Sequence, residues 1–265
     1  MSAQLGTALI TGASSGIGEV YADRLAKRGY DLILVARNTE RLGALATRLN
    51  QQTGRNVEIV SADLATAAGR TSVEARLRND EAISLFINNA GLFAGGPLAE
   101  ADADNLETML DVNITAVTRL AAAAAASFAK RKHGAIVNLS SVMALLDTAN
   151  TAAYGATKAY VLSFTHSLHL ELAPLGVQVQ AVLPGYTRTP MINDGAGIPP
   201  EQVMEVEDLV DAALSGLDQK ELVTIPAEHV AGDYNRVHQA RGELLSRLVS
   251  NTPAQRYGIK APEVA

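Results

Sequence analysis

The chain of 265 residues contains no cysteine. Disulfide staples, thiolate nucleophiles and cysteine-built zinc sites are therefore excluded, and a reducing compartment suits the composition. Positive charge is in deficit: 22 Lys and Arg against 28 Asp and Glu leave a formal net charge of -6. Such a surface has no general attraction for nucleic acid, so an anionic ligand needs a local site. Long hydrophobic runs are missing too. The most lipid-like stretch, residues 120–128, is far too short to cross a bilayer and is bounded by Arg119 and Lys130. The start, Met1 to Gly6, lacks a basic segment and leads into a strand-like run, which is not the pattern of a signal peptide. No internal repeat and no Pro/Gly-rich linker interrupts the chain. The expectation is a cytoplasmic protein with neither membrane nor nucleic acid among its partners.

What is present is a core-forming chain. Hydrophobic residues make up 48% and charged residues 19%, which excludes general disorder. Strand-like runs at 5–11, 31–36, 56–61, 83–88, 134–140, 177–183 and 221–225 alternate with helix-like stretches. The helical patterns cover 17–28, 38–52, 66–79, 101–112, 114–132, 152–173, 205–217 and 228–249. Several strand runs are apolar throughout, as in Leu32-Ile33-Leu34-Val35-Ala36, the pattern of a parallel sheet covered on both faces. Gly29, Gly54, Gly134 and Gly176 stand where helices give way to strands and suit left-handed caps. The reading is α/β, with a doubly wound parallel sheet in a single domain over residues 1–250. A loop or lid is expected over about 186–205, and a peripheral tail over 251–265.

The first strand runs into Thr11-Gly12-Ala13-Ser14-Ser15-Gly16-Ile17-Gly18 and then into an amphipathic helix. Gly12 allows a tight turn, Gly16 a close approach to pyrophosphate, and Gly18 close helix–strand packing. The free N–H groups of the helix start then face phosphate, and no lysine follows in the pattern of an NTPase loop. At the end of the second strand, Ala36-Arg37-Asn38 lacks the acidic residue that binds an NAD ribose. Arg37 instead suits a 2′-phosphate, which favours NADP(H), with NAD(H) as runner-up. Asp63 fits either a contact to the adenine amino group or a helix N-cap.

Thr11 to Gly18, Asp63, Asn88-Asn89-Ala90-Gly91, Asn113, Ser140-Ser141, Tyr154-x-x-x-Lys158 and Pro184-Gly185 occur in this order. Together they resemble the short-chain dehydrogenase/reductase family over residues 5 to about 190. The resemblance implies a Rossmann fold with a seven-stranded parallel sheet and cofactor across the C-terminal strand ends. Its cofactor set would be Gly12, Ser14, Ser15, Gly16, Ile17, Gly18, Arg37 and Asp63. Asn89, Ala90, Gly91, Tyr154, Lys158, Pro184, Gly185, Thr187 and Thr189 would complete it on the nicotinamide side. Thr187 stands where the family usually has an apolar residue, and Ser15 stands in a turn where NADP-preferring relatives often carry a base. Asn113 resembles the residue that supports a water in a proton relay. Ser141 lies 13 residues before Tyr154, the family's offset, and is favoured over Ser140.

Tyr154 and Lys158 are i,i+4 on one helix and so share a face. An ammonium beside the phenol favours phenolate and tunes it for proton transfer, while Ser141 would hold the substrate oxygen. The expected reaction is reduction of a ketone or aldehyde, or oxidation of a secondary alcohol. Hydride would pass at nicotinamide C4, with Tyr154 as acid/base. The apolar residues Phe93, Met143, Tyr186 and Met191, with Leu92, Val142, Leu145, Leu146 and Ile192, suggest a mainly apolar substrate. His166 and His169 do not form a coherent ligand set with Glu171, so no metal is expected. Small residues on the helix at 152–173, together with the resemblance, favour a homodimer or homotetramer. The competing readings are a non-catalytic nucleotide-binding regulatory protein and an epimerase or dehydratase that retains NAD.

Overall fold

The computed structural model describes residues 5–191, 197–230 and 232–259. Ile192, the middle of the expected lid (192–196) and the end of the tail (260–265) lie outside the described residues. The chain forms two compact units, Met1–Pro226 and Ala227–Ala265.

The first unit holds seven strands: β1 (Thr7–Thr11), β2 (Asp31–Ala36), β3 (Val57–Ser61), β4 (Ile83–Asn88), β5 (Ala135–Leu139), β6 (Gln178–Val182) and β7 (Val223–Thr224). They form one parallel sheet in the order β3-β2-β1-β4-β5-β6-β7. The order reverses between β1 and β4, and that switch point opens a crevice at the C-terminal strand ends. Helices α1 (Gly16–Arg28), α2 (Thr39–Thr53) and α7 (Val206–Asp218) pack on one face. On the other lie α3 (Ala67–Asn79), α5 (Val117–Arg131) and α6 (Ala152–Leu172), with α4 (Ala103–Leu110) leading into α5.

Strand alternation feeds both layers. Ile10, Leu34 and Ile87 point toward α1 and α2, whereas Leu9, Val35 and Phe86 point toward α3 and α5. Fully burying one such side chain contributes about 1.5–3 kcal/mol, so the continuous apolar strands supply the main driving force. The alanines of α5 let it sit close: Leu120, Ala121, Ala123, Ala124 and Phe128 are all fully buried.

Two expectations about helices are corrected. The patterns at 101–112 and 114–132 belong to one helical run, because Asp111–Ala116 is a π-helical turn joining α4 to α5. By length and composition alone that run, Ala103–Arg131, is long and apolar enough to cross a membrane, although 56% of its apolar window is buried in the fold. The second correction concerns caps. Gly29, Gly54 and Gly176 are left-handed caps, but α5 is closed by Lys132 at φ 55°, ahead of Gly134 in the chain. The second unit contains α8 (Asp233–Leu248), whose start is held by the Tyr234 N–H donating to Glu228 Oε1 at 2.8 Å.

Candidate active site

The glycine turn between β1 and α1 is shaped by close backbone approach. Gly12 and Gly16 have φ of 68° and 56°, a region that side chains other than glycine rarely adopt. A Cβ on Gly18 would lie 2.3 Å from the Gly12 carbonyl oxygen. Asn89 locks the turn from β4: its Nδ2 donates to the Thr11 carbonyl at 2.8 Å. Thr11 Oγ1 accepts from the N–H groups of both Asn89 and Ala90 at 3.0 Å. The Asn89 amide thus braces the turn. Ser15 is the N-cap of α1 yet makes no side-chain cap bond, leaving its hydroxyl and the helix-start N–H groups open.

The other cofactor candidates follow the C-terminal ends of β2, β3 and β6. Arg37 is exposed just beyond β2 and has no hydrogen-bond or ion-pair partner among the described residues. Asp63 accepts from the Ala65 N–H at 3.1 Å, while the N-cap of α3 is Thr66, so the capping alternative for Asp63 falls away. Gly69 is a glycine the sequence reading passed over: a Cβ there would sit 2.0 Å from the Asp63 carbonyl. Thr189 packs on Gly16, its Cγ2 3.2 Å from where a Cβ would stand. Thr187 is buried, donates to the Gly185 carbonyl at 3.1 Å and bridges to Met204, so its hydroxyl serves the loop. An open helix start, an unpaired guanidinium and a cradle that any Cβ would fill suit a dinucleotide bearing an additional phosphate.

Across the crevice, α6 and the end of β5 place the reacting groups. The Ser141 hydroxyl caps a short turn, accepting from the Met143 N–H at 3.2 Å and donating to the Pro184 carbonyl at 3.3 Å. It also lies near the Tyr154 phenol, close enough to favour its ionised form in part. Lys158 Nζ donates to the Leu139 carbonyl at 3.0 Å and lies 5.7 Å from the centre of the Tyr154 ring. Ser140 does not face this centre; its hydroxyl donates to the Lys158 carbonyl at 2.7 Å and braces α6. The π-helical turn aims Asn113 inward, where its amide bonds both the N–H and the carbonyl of Leu92, at 2.8 and 2.9 Å. Asn113 Nδ2 also donates to Thr157 Oγ1 at 3.1 Å, and that hydroxyl donates to the Tyr154 carbonyl.

This ordered chain of groups can be compared with known proteins. The family described as "short chain dehydrogenase" matches residues 6–196. The chain belongs to the short-chain dehydrogenase/reductase family. Among solved structures, a short-chain dehydrogenase from Sphingobium yanoikuyae in complex with NADPH is 49% identical. The match covers 95% of this chain and 100% of that one, with a TM-score of 0.91. The bulky-bulky ketone specific alcohol dehydrogenase from Comamonas testosteroni is 46% identical over 96% of this chain and 99% of that one, at a TM-score of 0.90. An uncharacterized oxidoreductase of Staphylococcus epidermidis is 34% identical, covering 82% of this chain and 93% of its own length.

In this short-chain dehydrogenase the phenol does not behave as the i,i+4 spacing alone suggested. Burial pushes the Tyr154 hydroxyl above the ordinary tyrosine value, with the nearby Ser141 hydroxyl opposing in part. The ammonium is desolvated as well, and burial pulls Lys158 down to about 8. That shift has a consequence for stability. Unfolded lysine keeps its proton up to 10.5, whereas the folded side chain releases it from about 8, so the unfolded state binds more protons between them. Stability should therefore rise with pH in that window, by about 3 kcal/mol, and the rise should vanish in Lys158→Met. Urea unfolding across the window measures it; a flat profile for the parent would show that Lys158 is better solvated than its burial implies.

Several supporting groups were missed from sequence. Asn138, set in the apolar strand Ala135–Leu139, accepts from Asn88 Nδ2 at 3.0 Å and donates to Thr165 Oγ1 at 3.0 Å. An amide inside a buried strand is itself a signal, because it must be hydrogen-bonded there. The expected substrate residues are divided: Phe93 meets the Tyr154 ring edge-on, while Tyr186 and Met191 are half exposed on the Pro184–Gly185 side. Met143 follows Ser141 in the short turn after β5.

Proposed function

We propose that the protein is an NADP(H)-dependent dehydrogenase/reductase that interconverts ketones bearing two bulky, mainly apolar substituents with their secondary alcohols. The observation that carries this reading is the Tyr154 phenol buried near the Ser141 hydroxyl, with Lys158 Nζ 5.7 Å from its ring centre. The similar Sphingobium protein, held in complex with NADPH, supports the cofactor, and the similar bulky-bulky ketone specific enzyme from Comamonas supports the substrate class.

Gly12, Ser14, Ser15, Gly16, Ile17 and Gly18 would hold pyrophosphate, with Arg37 at the 2′-phosphate and Asp63 at the adenine. Ala90, Gly91, Lys158, Pro184, Gly185 and Thr189 would border the nicotinamide, with Asn89 and Thr187 fixing the backbone around it. The bound cofactor supplies or accepts the hydride. Ser141 donates a hydrogen bond to the substrate oxygen and orients it. Tyr154, kept protonated by burial, gives its proton to that oxygen in reduction and takes it back in oxidation. Lys158 stabilises the phenolate left behind, and Asn113 holds the Leu92 backbone and Thr157 so that a water can reprotonate the site. The exposed small residues of α6, Ala152, Ala156 and Ala159, suit a homodimer or homotetramer. The absence of cysteine and the acidic balance suit a cytoplasmic location.

Arg37→Asp tests the cofactor assignment. The variant should lose preference for NADPH by about 10²-fold or more, since a charge-assisted bidentate contact is replaced by repulsion. Competitive binding of NADPH and NADH reads the ratio; an unchanged ratio would place the 2′-phosphate elsewhere.

A further inference from the structure

A cavity of about 500 Å³ lies between the loop after β4 and the start of α6. Leu92, Phe93, Leu98, Leu106, Met109 and Ala153 give it an apolar side, and Asp102, Asn105, Thr108 and Asn150 a polar one. Ser141, Tyr154 and Lys158 do not line it. Phe93 joins the two places: its ring borders the cavity and meets the Tyr154 ring edge-on, centroids 4.9 Å apart at 76°.

The backbone beneath that ring is fixed while the ring itself is half exposed, at 49%. Asn113 pins Leu92 through both its N–H and its carbonyl. Gly95 leaves room for the ring, since a Cβ there would stand 2.6 Å from Phe93 Cζ. The Gly96 N–H donates to the Asn150 carbonyl at 2.8 Å and ties this loop to the one before α6. Asp102, the charged residue on the wall, already caps α4 by accepting from the N–H groups of Asp104 and Asn105. The cavity therefore offers shape and an apolar side around Phe93, Leu98 and Leu106, with one Asp102 oxygen engaged in the cap, and its size is that of a small-molecule subsite.

We propose that this cavity receives one of the two substituents of the ketone, and that Phe93 is a specificity-determining residue partitioning it from the catalytic phenol. The inference rests on the carbonyl chemistry proposed above. The other substituent then faces Met143, Tyr186 and Met191. A pocket of this kind discriminates chain length by roughly tenfold per methylene where the fit is tight.

Symmetric ketones test it, because either arm presents the same chemistry. Dipentyl ketone has to place a long arm in the cavity, whereas diethyl ketone does not. Leu106→Trp, which fills the space, should lower kcat/KM for dipentyl relative to diethyl ketone by about tenfold or more, chiefly through KM. Phe93→Ala should move the ratio the other way. An unchanged ratio in both variants overturns the proposal. Leu98→Trp supplies a readout independent of turnover, since the chain has no tryptophan of its own and Leu98 is 61% exposed at the rim. Its emission should respond saturably to dipentyl ketone, and no response overturns the cavity as the binding place. A saturable response with neither ketone reduced by the parent protein would instead reject the reaction and support the cavity.

Discussion

Tyr154→Phe is expected to lower kcat for ketone reduction by about 10²–10⁴-fold while leaving NADPH affinity within about threefold. The substitution removes one oxygen and little else. The ring would still meet Phe93 edge-on and lie beside Lys158, so the walls of the site keep their shape. What disappears is the proton donor near the Ser141 hydroxyl. Ser141 could still bond the substrate oxygen, so KM should change far less than kcat. Steady-state kinetics with cofactor fluorescence titration separate the two effects. Near-normal turnover would mean that the proton comes from elsewhere, and the role proposed for the phenol would fall with it. Because burial raises the Tyr154 value, reduction should hold its rate through neutral pH, while oxidation should gain from alkaline conditions that favour phenolate.

Gly18→Ala is expected to cost about 2–3 kcal/mol of stability and to weaken NADPH binding by about tenfold or more. The new methyl would stand 2.3 Å from the Gly12 carbonyl oxygen and 2.7 Å from Asn89 Nδ2. Neither neighbour can step aside cheaply. Gly12 is held in a left-handed turn, and Asn89 Nδ2 is committed to the Thr11 carbonyl. The turn must therefore open, which moves the helix-start N–H groups proposed to receive phosphate. Gly43→Ala is the matched control: nothing lies within 4 Å of its Cβ position on α2, so it should gain about 0.5–1 kcal/mol. Urea unfolding of the three proteins decides the matter; a Gly18→Ala protein as stable as Gly43→Ala would show that the turn is softer than its contacts imply.

The parts of the site that were legible are local ones. Gly12, Gly16 and Gly18 are readable because a tight turn before a helix tolerates few other residues, and Tyr154 and Lys158 because four residues on a helix set a shared face. Arg37 was readable as a charge at the end of an apolar strand. The supporting shell was less so. The Asn89 amide braces Thr11, and Asp63 presses against Gly69. Those contacts join residues from separate strands and helices, and spacing along the chain carries no record of them.

The π-helical turn shows why. Residues 101–132 read as two helices because the apolar period slips near Asn113, and the pattern does not say whether a slip means a break or a wider turn. Packing resolves it: the widened turn aims the Asn113 amide at Leu92 and Thr157, partners 21 and 44 residues away.

By itself the order of residues determined the layers and the parallel sheet, because periodicity and glycine turns act over a few residues, and the family resemblance pointed to Ser141, Tyr154 and Lys158 as the reacting groups. Only the tertiary structure decided that the Tyr154 phenol is held protonated, that Thr187 serves its own loop, and that Phe93 stands between the phenol and an apolar cavity. Desolvation and close packing depend on which distant segments exclude water from a group, and that is a property of the folded surface.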